Sequence, residues 1–408
     1  MKTDPRRTPS PLRHRAFRLY FTGSMISNSG TWLQNVALSV FMLNITHRST
    51  WVGITGLALM LPVVFLTLPA GVLADRVDRL KLLLISQLVA AGFAAVLTVL
   101  AAAHTITRYT VVGLAMGLGA SVAFAIPAMQ ALIPHLVPED ELEGAIAMNA
   151  ITFNIGRVIG PILAALTPLL FHDNWPVWAF GLNTASFLVL AVLLSRMGPP
   201  PYPRPGGGPG PVSEAIDYAW HHVRTRWMLL GVIAIGFTLD PIFTLSPAIG
   251  RSFGRSSYAG WIVSVWGAGA VFVITAGASV LRYLTKHGLG WVGLVVLAAG
   301  IAGFSAAQNL AEALGAVFVT GGGYIAAAMT FTTTIQTDVP ERLRGRVMAL
   351  WTLAFLGPRP IAGIIDGSLA DVLSPHWAGV LFALPAIVMS VAVRRGALRG
   401  GQAVAPPV

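Results

Sequence analysis

The chain has no cysteine in 408 residues, so neither a disulfide nor thiol–metal chemistry is open to it. Charge is also scarce: 11% of residues are Asp, Glu, Lys or Arg, where a soluble protein carries about 25%. Acidic residues are the rarer sign, 16 against 27 basic. No P-loop or H-E-x-x-H spacing occurs, and few titratable groups fall inside apolar segments. These absences argue against a membrane-embedded enzyme and against an ATP-driven pump within this chain. What remains is 55% hydrophobic residues and a mean hydropathy of +0.72, the composition of an integral membrane protein. The net charge of +11 raises nucleic acid as a partner. Its basic residues, however, sit in short segments flanking apolar spans, as membrane orientation requires, so the expected partner is the lipid bilayer and not nucleic acid.

A helix crosses the hydrocarbon core with about 20 residues. Apolar stretches of that length fall near 17–43, 51–73, 82–103, 109–133, 145–171, 176–196, 227–250, 257–281, 288–310, 312–337, 345–370 and 377–393. This predicts an all-α membrane protein with twelve transmembrane helices and both termini on one side. Lysine and arginine number 21 in the termini, the even-numbered loops and the span ends beside them, against 4 in the odd-numbered loops, which puts both termini in the cytoplasm. The basic N-terminus precedes a first span too long and too polar, with Asn28, Gln34 and Asn35, to be a cleaved signal.

The two halves echo one another. Val137-Pro138-Glu139 leads to Leu142 and Gly144, and Val339-Pro340-Glu341 leads to Leu343 and Gly345, an offset of half the chain. Each is followed by an apolar span with a Gly-Pro and an arginine: Gly156-Arg157 with Gly160-Pro161, and Gly357-Pro358-Arg359. A weaker echo pairs Gly71-x-x-x-Asp75-Arg76 with Gly277-x-x-x-Leu281-Arg282. The expected organisation is therefore a six-helix bundle at 1–197, a cytoplasmic linker with an amphipathic helix at 198–226, and a second six-helix bundle at 227–408. Pro and Gly dominate the linker over Gly198–Pro211. Ile216, Ala219, Trp220, Val223 and Trp227 then recur at helical spacing.

Several motifs resemble one family. The run Gly71-Val72-Leu73-Ala74-Asp75-Arg76-Val77-Asp78-Arg79-Leu80-Lys81 is similar to the loop between helices 2 and 3 of the major facilitator superfamily, with Asp78 where that family usually has Gly. Gly30-Thr31-Trp32-Leu33-Gln34-Asn35, Asn154-Ile155-Gly156-Arg157-Val158-Ile159-Gly160-Pro161 and Leu343-Arg344-Gly345-Arg346 resemble its branch of bacterial exporters related to the enterobactin exporter. The resemblance implies two pseudo-symmetric six-helix bundles in the bacterial cytoplasmic (inner) membrane and transport by alternating access. It also implies a gating motif of Gly71, Asp75, Arg76 and Arg79, with Asp75 meeting the start of span eleven near Arg344 and Arg346. Gly156, Gly160 and Pro161 look like the family's antiporter motif, which favours export. Small residues four apart are equally the signature of tight helix packing.

Arg157 and Arg359 are the costly residues, because an unpaired charge at mid-span is severely unfavourable. They need a wet cavity, an acidic partner or polar backbone. Asp240, beside Pro241, is the clearest acidic residue at depth, and Asp366 is a second. Asp240 is expected to carry the coupling proton, although a permanent structural Asp–Arg pair fits the residues as well. Asn28, Asn35, Gln130 and Gln336 lie on spans one, four and ten, which line the cavity in the family, and their amides both donate and accept. The expected protein is a secondary transporter, working as a monomer without a cofactor. It would export a small organic molecule, a siderophore-like metabolite or a drug, against protons. The alternative is a symporter that imports an anion or metabolite.

Overall fold

The computed structural model describes residues 10–202 and 213–400. Most of the Pro/Gly linker, and the side chains of Leu68, Asp75, Ser213, Arg342 and residues 396–400, lie outside the described residues. Among those described the chain is helical throughout, with no strand. The first half holds α1 (Arg15–Thr46), α2 (Ser49–Arg76), α3 (Arg79–Ala102), α4 (Arg108–Leu132), α5 (Leu142–Phe171) and α6 (Trp175–Ser195). The second begins with α7 (Ser213–His221), α8 (Val223–Thr238), α9 (Pro241–Thr244), α10 (Ser246–Ser252), α11 (Tyr258–Thr275) and α12 (Ala278–Lys286). It continues with α13 (Gly290–Ala306), α14 (Leu310–Asp338), α15 (Glu341–Leu356), α16 (Arg359–Val372), α17 (Pro375–Phe382) and α18 (Leu384–Gly400).

Each of the twelve expected apolar stretches is occupied by helix. Nine segments among the described residues are long and apolar enough to cross a membrane, and one of them, Glu139–Ser195, contains both α5 and α6. The chain is thus a multi-pass membrane protein. The helices divide into two compact units: residues 1–38 with 58–208, and residues 39–57 with 209–408.

Proline marks a difference between the halves. In α2, α4 and α5 the helix runs through Pro62, Pro69, Pro127, Pro161 and Pro168. In the second half the seventh apolar stretch is broken into α8, α9 and α10 at Asp240-Pro241 and Ser246-Pro247, and the eleventh into α15 and α16 at Gly357-Pro358. A proline removes a backbone donor and its ring crowds the carbonyl four residues back, so each break leaves carbonyls to be satisfied locally. Asp240 and Arg359, expected within continuous spans, stand at these breaks. The amphipathic helix is also shorter than its pattern predicts: α7 ends at His221, and Arg224, Arg226 and Trp227 open α8.

Apolar side chains gain little by leaving lipid for one another, so association between spans depends on close packing of small residues. In the first unit Phe17 and Tyr20 of α1, Leu83 of α3, Leu132 of α4 and Leu190 and Leu194 of α6 form a fully buried cluster. In the second unit α13 and α14 pack through glycines. A Cβ on Gly293 would run into the Ala327 amide, and one on Gly323 into the Leu297 amide. Gly323→Leu is therefore expected to separate these helices and cost about 1–3 kcal/mol. A lowered unfolding midpoint in detergent checks this, and an unchanged midpoint contradicts it.

Candidate functional site

In the second unit the two broken spans come together. α8 approaches α15 so closely that a Cβ on Gly236 would strike the Phe355 carbonyl. Just beyond, Asp240 ends the helical run of α8 and its carbonyl accepts from the Phe243 and Thr244 amides at 2.8 and 3.0 Å. Its side chain is 5% exposed, and its Oδ2 accepts a hydrogen bond from Thr244 Oγ1 at 2.7 Å. Arg359 opens α16, where the positive end of the helix dipole disfavours a guanidinium. It has two compensations: the Asp240 carboxylate is its electrostatic partner, and its Cζ stands 4.5 Å from the centre of the Phe243 ring. Asp366, two turns along α16, is fully buried and faces Asp240. Asp240, Asp366 and Arg359 thus share one site, and Thr244, which the sequence did not single out, completes it.

The second unit also includes residues 39–57, the ends of α1 and α2. Asp371 of α16 caps the start of α2: its Oδ1 accepts from the Ser49 amide at 2.7 Å, and its Oδ2 from the Thr50 amide and hydroxyl at 3.1 and 2.6 Å. A carboxylate on a helix N-terminus satisfies orphan amides and meets the positive dipole end. Asn44 Oδ1 accepts from Arg251 Nη2 at 2.8 Å and from Ser256 Oγ at 2.9 Å. Neither cluster was visible in the sequence, because their members lie about half the chain or more apart.

In the first unit the glycines of the antiporter-like motif lay α5 against α1. A Cβ on Gly156 would come within 2.9 Å of Asn28, and one on Gly160 within 2.5 Å of the Ser29 carbonyl. Pro161 is buried beside them. That approach lets Asn28 Nδ2 donate to Thr152 Oγ1 at 3.0 Å and Tyr20 donate to Asn149 Oδ1 at 2.7 Å. It also places Arg157 with its Cζ 5.6 Å from the centre of the Trp32 ring. Asn35 is half-buried in the same helix, whereas Gln130 and Gln336 are exposed. A buried chain that the sequence did not announce ties α1 to α6: Asn183 Nδ2 donates to Gln34 Oε1 at 2.8 Å, and Ser186 Oγ donates to Asn183 Oδ1 at 2.9 Å.

The loop motif has a local role that accounts for its departure from the family pattern. Asp78 is the N-cap of α3, its Oδ1 accepting from the Leu80 and Lys81 amides at 2.9 and 3.1 Å. Arg79 hydrogen-bonds His135, whose Nδ1 donates to the Tyr202 carbonyl at 2.9 Å. Gly71 has open space around it, and Arg76 is exposed. In the second unit Arg346 pairs with Glu214 of α7 at 2.5 Å, while Arg344 is exposed. Arg224 of α8 meets Asp338 at 3.1 Å, and the Tyr218 hydroxyl donates to the Asp338 carbonyl at 3.2 Å, so α7 and the start of α8 are fastened to the end of α14 and the start of α15. Burial and the Asp338 carboxylate push the Tyr218 phenol up, which keeps it a neutral donor.

Between α7, α8 and α15 lies an apolar groove of about 450 Å³, lined by Trp220, Leu230, Ile233, Leu353 and Pro358 with Arg226 at its side. It reaches Pro358, the residue before Arg359. No cluster of three metal-ligating side chains occurs among the described residues. Gly160→Val should force α5 off α1 and cost about 1–3 kcal/mol, while Asp78→Ala should cost about 1 kcal/mol through the lost cap. Thermal unfolding of the two variants checks both; equal stability to the parent contradicts the packing and capping roles.

Residues 7–406 match the transmembrane secretion effector family of the major facilitator superfamily. The chain is 28% identical over 380 residues to the enterobactin exporter EntS of Citrobacter koseri, covering 89% of this chain and 87% of that protein. To the Escherichia coli O1:K1 enterobactin exporter it is 27% identical over 382 residues, with the same coverage. Among solved structures the nucleoside transporter NupG superposes with a TM-score of 0.75 at 12% identity, covering 93% of this chain and 98% of that one. A bacterial homologue of the human lysosomal transporter Spinster gives 0.76 at 13%, covering 94% and 98%. Those likenesses carry the major facilitator fold alone. With the family match across nearly its whole length, the chain belongs to the transmembrane secretion effectors, and it is a major facilitator transporter of the enterobactin-exporter-like branch.

Proposed function

We propose that this protein is a proton-coupled exporter of small organic molecules, with catechol-bearing anions of the siderophore type foremost. It would work by alternating access in the bacterial cytoplasmic membrane, with both termini cytoplasmic. The observation that carries the substrate class is the repeated pairing of an arginine with an aromatic face at mid-span: Arg157 on Trp32 in one unit and Arg359 on Phe243 in the other. A guanidinium recognises oxyanions bidentately and its aromatic neighbour offers a stacking surface, a combination suited to a planar ring with adjacent oxygens. The groove beside Trp220 has the volume of a small-molecule pocket and is mostly apolar, which suits the lipophilic body of such a compound.

Export is supported by the enterobactin exporters similar to this chain and by the Gly156, Gly160 and Pro161 packing of α5 on α1. The energy source is the proton gradient; no cofactor enters the cycle. Asp240 is the proposed coupling carboxylate, poised between Arg359, Thr244 and Asp366. The bundles at 1–197 and 227–408, joined by the segment 198–226, are the proposed moving parts of a monomer. Gly71, Asp75, Arg76 and Arg79, with Arg344 and Arg346, are the proposed gate at the cytoplasmic face.

In inverted vesicles, acidifying the lumen should drive accumulation of a tricatecholate, and a protonophore should abolish it. Arg157→Gln and Arg359→Gln should each raise KM for the catecholate roughly 3- to 10-fold, about 0.7–1.4 kcal/mol, and leave a neutral lipophilic cargo unaffected. Accumulation indifferent to the gradient, or an unchanged KM in both variants, contradicts the reading. Catecholate driven the other way would make the protein a symporting importer.

A further inference from the structure

Asp366 is fully buried, and among the described residues neither of its carboxyl oxygens has a hydrogen-bond partner. Its polar neighbours are the Gly367 amide and the Asp240 side chain, neither aligned closely enough to bond it. Asp240 is buried too, with Thr244 on one oxygen and Arg359 as its cation. With both carboxyls ionised, a dry site would hold two negative charges against one positive. A net charge buried away from water is strongly destabilising, and two neighbouring carboxylates cannot both remain ionised cheaply. One proton brings the group to neutrality.

The same turn of α16 is the surface on which the Ser49 end of α2 lies. The Gly363 backbone is held between the two: a Cβ there would come within 3.0 Å of Asp240 Oδ2 and 3.3 Å of Thr244 Oγ1 on one side, and 3.5 Å of Gly53 on the other. One turn on, a Cβ at Gly367 would come within 2.5 Å of the Ser49 carbonyl. One turn further, Asp371 caps α2. Asp366 stands between these two glycines, so water cannot reach it from this side without separating α2 from α16.

We propose that Asp240 and Asp366 hold one proton between them while α2 is sealed on α16, and that loss of this proton opens the seal. The inference rests on the exporter reading, in which the Ser49 end of α2 faces outward and a deprotonated carrier must open there. It adds Asp366 as the second proton-bearing group and the glycine contact as the part it moves. Other titratable groups are engaged: Arg251 of α10 bonds Asn44 and His47, Asp371 caps α2, and His376 of α17 bonds the Ser305 carbonyl. Residues 49–57 of α2 carry no titratable side chain.

The absence of cysteine makes the test clean. Val52, beside Gly53 in the first turn of α2, is 3% exposed, and Val372 is 81% exposed. The full chain carrying Val52→Cys is reconstituted in proteoliposomes without substrate and labelled with an impermeant maleimide from about pH 5 to about pH 9. Rates are divided by those of a Val372→Cys reporter, which carries the titration of the thiol itself. The normalised rate should rise with pH, by up to about tenfold per pH unit across the transition, as expected for release of one proton. With Asp366→Asn or Asp240→Asn added it should stay low at every pH, since one carboxylate is then balanced by Arg359. A flat parent profile, or an Asp366→Asn profile that keeps the parent slope, overturns the proposal. Should either variant fail to reconstitute, the parent slope and the other variant decide. Gradient-driven catecholate uptake in the same vesicles separates the two claims. Flat labelling with intact uptake removes only this inference, and steep labelling without uptake removes only the exporter reading.

Discussion

The constraint on which the second half of this molecule depends is the cost of holding charge where water is excluded. Asp240, Asp366 and Arg359 lie within apolar spans of a chain that spends charge sparingly, and each is there because another is. Proline makes the arrangement possible. By breaking one span before Pro241 and the other at Pro358, it places a carboxylate and a guanidinium at helix ends that would otherwise be continuous. The Phe243 face and the Thr244 hydroxyl complete the shell around them.

The first half solves the same problem by other means. Arg157 sits in an unbroken helix and is accommodated through close approach: Gly156 and Gly160 bring α5 onto α1, and the guanidinium meets Trp32. The repeated sequence signs, a Gly-Pro and an arginine after a Val-Pro-Glu turn, therefore lead to two local structures. Pro138 and Pro340 do act alike, each with a ψ far from helical, 165° and 141°, just before a helical turn begins. Divergence of this kind gives one unit a rigid helical contact and the other a broken, charge-bearing one.

The membrane class, the helical stretches and the family were legible in the sequence because they depend on hydropathy, charge placement and short motifs. Asp240, Arg157 and Arg359 stood out because each interrupts an apolar span at a known energetic cost. What could not be read was who meets whom. Gln34 and Asn183 are 149 residues apart, and Asp371 and Ser49 are 322 apart; short polar side chains of these types occur in any helix, and only the fold brings them together. Thr244 stands one helical turn after Asp240, a spacing that permits the bond but that any threonine in an apolar span could share, so it did not stand out. Asp78 shows the converse, a departure from the family pattern whose cause, capping α3, is local and plain once the helix start is known.

Infrared difference spectroscopy of the carboxyl C=O stretch reports whether a single proton is kept in the Asp240–Asp366 pair. At neutral pH the parent protein should show a protonated-carboxyl band that shifts in D₂O and disappears in Asp366→Asn. A spectrum with no such band, or one unchanged by removing Asp366, would contradict the account.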